Sequence, residues 1–140
     1  MTGMGGHVWT APVASGLLLG AAGAIRIGAD LPHGRLVAEI LPNVVLGLIL
    51  PLLGAAVLAQ LPGHRLGRLW VFTGLAASAT LAIYSYAELA ATSSGWPLGT
   101  TAAWFASWFW VLGFTPFLTL GLLIFPDGKL PSPRWRPVAV

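Results

Sequence analysis

The 140-residue sequence contains no cysteine. That excludes disulfides, thiolate nucleophiles and Cys-based metal sites, and it means redox compartment cannot be read from the chain. Charge is almost as scarce: four acidic and seven basic residues make up 8% of the sequence, against roughly a quarter in soluble domains. The three histidines, His7, His33 and His64, fall in separate segments with no His-x3-His pair, so no metal is expected. There is no Gly-rich phosphate loop ending in Lys-Ser/Thr and no nucleophile elbow. The expectation is a chain without cofactor that is not an enzyme.

Apolar surface is what the chain has in excess: 56% of residues are hydrophobic and the mean hydropathy is +0.82. About 20 apolar residues match roughly 30 Å of hydrocarbon, and four runs reach that scale, at 8–25, 36–60, 69–89 and 102–125. They predict an all-α integral membrane bundle of four transmembrane helices over residues 1–125, followed by a basic, Pro-rich tail at 126–140. The lipid bilayer is the expected partner. A pI near 10.2 suggests nucleic acid in a soluble protein, but the basic residues here sit at the ends of apolar runs and read as topology signals.

The first run ends in Ala22-Gly23-Ala24, which resembles a signal-peptide cleavage site, yet residues 1–7 lack the basic n-region, so a retained span is the favoured reading. Pro42 and Pro51 in the second run predict a kinked helix, since each removes a backbone donor. The segment 61–68 reads as a tight basic turn and 91–100 as an uncharged connector. Trp104, Phe105, Trp108, Phe109 and Trp110 place the start of the fourth span at a membrane interface. Arg65, Arg68, Lys129, Arg134 and Arg136 stand against Arg26 and Arg35 on the other side. Five against two places the 61–68 turn, the tail and both termini in the cytoplasm.

Ionisable and polar residues near span ends are the candidate site. Arg35, Glu39 and Asn43 are spaced by four, as are Tyr84 and Glu88, so each set shares a helix face. Together, with Arg26 nearby, they predict an outer polar cluster. The functional reading is a pocket for a ligand, ion or proton; the plainer one, favoured because Glu39 and Glu88 lie near span ends, has them facing water or a basic neighbour. Gly16 and Gly20 form a small-xxx-small pattern, read first as packing within the chain and second as self-association. Gly47 and Gly54, flanking Pro51, carry the same two readings or mark a hinge.

The segment Phe125-Pro126-Asp127-Gly128-Lys129-Leu130-Pro131-Ser132-Pro133-Arg134-Trp135 resembles one in the multi-pass membrane region of sensor histidine kinases of high-GC bacteria, with Lys129 in place of Arg. The run Leu48 to Leu58 and the following Pro62-Gly63-His64-Arg65-Leu66-Gly67-Arg68-Leu69 are similar to a turn between two spans of that region, with His64, Arg65 and Arg68 replacing Asn, Pro and Trp. The aromatic stretch Ala103 to Trp108 also fits. The resemblance covers roughly residues 36 to 138. It implies a multi-pass protein of the bacterial cell membrane serving as the input module of a two-component sensor. Its cytoplasmic surface would comprise Arg65, Arg68, Asp127, Gly128, Lys129, Arg134, Trp135 and Arg136.

In such proteins a dimerising helix with the phosphoacceptor histidine and an ATP-binding domain follow the membrane region, and none of their motifs lies in these 140 residues. The expectation is therefore a truncated or split input module, partnered by a kinase, another signalling protein or a second copy. The alternatives left open are a free-standing transporter or channel subunit, for which Asn43, Ser78, Thr80, Thr115 and Thr119 are the only mid-span polar candidates, and a vestigial fragment.

Overall fold

Hydrocarbon offers no hydrogen-bond partner to a peptide group, so an apolar segment entering it winds into a helix that satisfies its own backbone. The computed structural model describes residues 7–31, 38 and 40–124. Within them lie four helices: α1 (Thr10–Gly28), α2 (Leu41–Gln60), α3 (Arg65–Thr92) and α4 (Gly99–Ile124), with a 3-10 turn at His7–Trp9 ahead of α1. All four are long and apolar enough to cross a membrane, and no strand occurs among the described residues. The protein is an all-α membrane bundle of four helices.

The ends follow local chemistry. α1 closes in a Schellman motif: Asp30 takes the left-handed conformation (φ 48°), its N–H donates to the Ile27 carbonyl at 3.3 Å, and Leu31 N–H donates to the Arg26 carbonyl at 3.0 Å. Leu31 is then packed down, with only 1% of its surface exposed, the apolar contact this cap usually carries. Pro42 lies in the first turn of α2, where a missing N–H has no helical partner to lose. The expectation of two disruptive prolines in this span is corrected on that ground; Pro51 alone is interior. α3 begins at Arg65, shortening the basic turn to Leu61–His64.

α3 is the axis of the bundle. It packs against α1, α2 and α4, while α1 also meets α2. Half of its apolar window is buried, against 11%, 28% and 17% for α1, α2 and α4. The reason is legible in its side chains: Gly67, Gly74, Ala76, Ala77, Ser78 and Ser85 are all buried, and small residues let membrane helices approach closely without a lipid-facing apolar surface of their own. At Gly74 a Cβ would overlap the Pro51 ring, and at Gly54 it would lie 2.6 Å from the Gly67 carbonyl oxygen. These contacts set the α2–α3 crossing. A small apolar core of Ala22, Ile40 and Leu81, backed by Leu19, Val44 and Ala82, fills the space among α1, α2 and α3.

Gly16 and Gly20 make no close packing contact among the described residues: a Cβ at either would meet nothing within 4 Å. The expected intrachain role is therefore corrected. α1 turns Ser15, Ala22 and Arg26 inward instead, a face that adjoins the glycines.

Candidate functional site

Proline at position 51 deprives the Gly47 carbonyl of the N–H that would close its helical turn. A carbonyl without a partner in the middle of a bilayer costs free energy comparable to a lost hydrogen bond. Ser15 of α1 meets that need: its hydroxyl donates to the Gly47 oxygen at 2.6 Å. The Ser15 and Ser78 hydroxyl oxygens lie 2.5 Å apart. Since the single Ser15 hydrogen is directed at Gly47, Ser78 is the donor in that pair. Three helices are thus joined at one point by the order Ser78, Ser15, Gly47. The contact is tight, because a Cβ at Gly47 would overlap the Ser78 hydroxyl.

A second link between α1 and α3 lies near the end where both helices finish. Arg26 Nη1 and Glu88 Oε2 form a salt bridge and hydrogen bond, with 9% and 23% of the two side chains exposed. The sequence offset between partners is 63 for the serines and 62 for the ion pair. A near-constant offset means that α1 and α3 run parallel, held at two levels. Between these levels Ala22 and Ser85 are both fully buried, and the Ser85 hydroxyl has no hydrogen-bond partner among the described residues. Partnering Arg26 neutralises a charge that would be expensive so close to hydrocarbon, which is the plainer of the two readings of Glu88.

Beside this contact, between α2, α3 and α4, the bundle stays open. A cleft of about 420 Å³ runs between α2, α3 and α4, inside the range of small-molecule sites. α2 contributes Pro42, Asn43 and Leu46; α3 contributes Thr73, Thr80 and Tyr84; α4 contributes Ser107, Trp110 and Phe114. Every described lining residue is uncharged. Three of its hydroxyls are tied to backbone: Thr73 donates to the Gly113 carbonyl at 3.3 Å, Thr80 to Ala76 at 2.8 Å and Ser107 to Trp104 at 2.7 Å. The Trp110 indole N–H donates to the Ser107 carbonyl at 3.1 Å.

The expected polar cluster is therefore divided by α3. Asn43 and Tyr84 line the cleft, each making a further interaction, whereas Glu88 turns to Arg26 on the α1 side. Arg35 and Glu39 lie outside the described residues, as do Asp127, Gly128, Lys129, Arg134, Trp135 and Arg136. Arg65 and Arg68 are exposed in the first turn of α3. Ser15, Thr73 and Ser107 were not singled out by sequence. The signal for Ser15 was indirect: a mid-span proline announces an orphaned carbonyl four residues earlier, but not which helix supplies its donor.

At the start of α4 the aromatic stretch forms a cluster with edge-to-face contacts, Trp104 and Trp108 ring centroids lying 5.2 Å apart and Trp104 being 59% exposed. Across from it Tyr86 packs edge-on against Trp96 at 5.9 Å and donates to the Pro97 carbonyl at 2.5 Å, pinning the α3–α4 connection. Among the described residues no group of three or more His, Asp or Glu could hold a metal. No family model, curated protein or solved structure matches the chain.

Proposed function

We propose that this protein is a membrane input module of the sensor type, non-catalytic by itself, whose cue enters the α2–α3–α4 cleft and whose output leaves through the tail after α4. The observation that carries this reading is the juxtaposition on α3: Thr80 and Tyr84 face the cleft, while Ser78 on the same turn closes the three-helix contact with α1 and α2. An occupant that spreads α2 from α4 acts on the helix pair that Ser15 and Gly47 hold together. Such coupling needs an occupant that favours one arrangement over the other. The resemblance of the segment from Phe125 to Pro137 to the membrane region of sensor histidine kinases supplies the class of output. Arg65 and Arg68 support a cytoplasmic face for the Leu61–His64 end: cations at a helix N-terminus oppose the macrodipole, so local helix energetics do not account for them and the membrane charge rule does.

The test joins the full chain, at its C-terminal end, to a histidine-kinase core through a series of helical linkers lengthened one residue at a time over two turns. Autophosphorylation in membrane vesicles should depend on linker phase and should change when Ala77→Phe fills the cleft. Activity that is the same in every phase, with and without Ala77→Phe, overturns the sensor reading.

A further inference from the structure

Three hydroxyls of the cleft wall have a direction; Asn43 and Tyr84, which also line it, make further interactions of their own. Thr73, Thr80 and Ser107 each have one hydroxyl hydrogen, and each gives it to a helix carbonyl, at 3.3, 2.8 and 2.7 Å. The Trp110 N–H is likewise held by the Ser107 carbonyl. What these hydroxyls retain for an occupant is oxygen lone pairs, which accept and cannot donate. Beside these three oxygens, an occupant bearing only ether, ester or ketone oxygens would set lone pair against lone pair in a low-dielectric site, where an unpaired polar group is costly. One bearing a hydroxyl would pair. The rest of the wall is apolar or aromatic, with no charged side chain among the described lining residues, so nothing described there offers a counter-ion to a charged head.

We propose that the α2–α3–α4 cleft binds a membrane-dissolved alcohol, an apolar chain ending in a hydroxyl that donates to the threonine and serine oxygens of the wall. This rests on reading the cleft as the input site and names the chemistry of its cue. Selection is by hydrogen-bond direction, so a chain of equal size whose oxygen lacks a hydrogen is discriminated against.

The test uses the full chain in lipid nanodiscs and two probes with the same number of heavy atoms, dodecan-1-ol and 1-methoxyundecane, with bound probe counted by native mass spectrometry at matched mole fractions in the bilayer. The alcohol should bind about threefold to tenfold more tightly, the range of one neutral hydrogen bond. Thr80→Val removes an acceptor whose own bond lies within one helix and should shrink that preference to about twofold or less. Ala77→Phe should abolish saturable binding of both probes. Equal binding of alcohol and ether, a preference unchanged by Thr80→Val, or alcohol binding unaffected by Ala77→Phe would each overturn the proposal. The two readings fail separately: alcohol binding without any change in kinase output removes the sensor reading, whereas phase-dependent output without alcohol selectivity removes the ligand class.

Discussion

Replacing Ser15 by alanine should destabilise the bundle more than replacing Ser78, although the two hydroxyls are partners. Ser78→Ala removes one donated bond and leaves Ser15 on the Gly47 carbonyl, so the loss should be near the ~0.6 kcal/mol average for interhelical hydrogen bonds in membranes. Ser15→Ala removes both bonds and strands a buried carbonyl that Pro51 already denies its helical donor. The cost then approaches the desolvation penalty of an unsatisfied group, about 1–3 kcal/mol. The double variant should cost little more than Ser15→Ala alone, because Ser78 has nothing left to donate to. A Pro51→Ala background sharpens the argument, since an alanine N–H at 51 can serve Gly47 and Ser15→Ala should then cost about 0.6 kcal/mol. Pro51→Ala itself leaves a gap beside Gly74, but that term cancels in the cycle. Reversible unfolding in mixed micelles, followed by tryptophan fluorescence, measures all five variants. A Ser15→Ala cost no greater than that of Ser78→Ala, or one unchanged by Pro51→Ala, would refute the account.

Gly47→Ala should cost about as much as Ser15→Ala and more than Ser78→Ala, losing about 1–3 kcal/mol through overpacking against Ser78, while Gly16→Ala and Gly20→Ala, with open space at both Cβ positions, should leave monomer stability within about 0.5 kcal/mol or raise it; the same unfolding assay compares them. Glu88→Gln should cost more than Arg26→Gln, because the first leaves the more buried charge, the Arg26 guanidinium, facing a neutral amide, whereas the second leaves the better-hydrated Glu88 carboxylate with an amide N–H that can still donate to it; partial exposure of the site keeps the larger loss below the ~3–5 kcal/mol of a fully buried pair. On this Cys-free chain, Ser94→Cys should react with an impermeant maleimide added outside intact cells and Ser132→Cys should react only after permeabilisation; the reverse pattern would invert the proposed orientation.

Length and hydropathy made the four helices legible, because a run of about 20 apolar residues has few alternatives to a membrane helix. Pro51 was legible as a breaker, and Gly47 and Gly54 as a close-approach face, since Gly in a helix interior usually has a neighbour to admit. Two inferences failed for one reason. Gly16 and Gly20 are interior helix glycines like Gly47 and Gly54, yet a Cβ at either would meet nothing within 4 Å among the described residues, and Tyr84 and Glu88, four residues apart, meet different neighbours of α3. Spacing along one helix specifies a face, but not the azimuth of the neighbours that decide what the face touches.

What the sequence determined by itself is the class of protein and its secondary structure, because the bilayer tests each segment locally: apolar length, backbone satisfaction and flanking charge are properties of a run of residues. What only the tertiary structure decided is which polar groups share a site. Ser15 reaches Gly47 across 32 residues of chain, Arg26 reaches Glu88 across 62, and the cleft exists because α3 lies between partners on every side while α2 and α4 meet it without closing on each other. Those pairings depend on helix rotation and depth, which are set by small residues fitting against one another at contacts that no single segment contains.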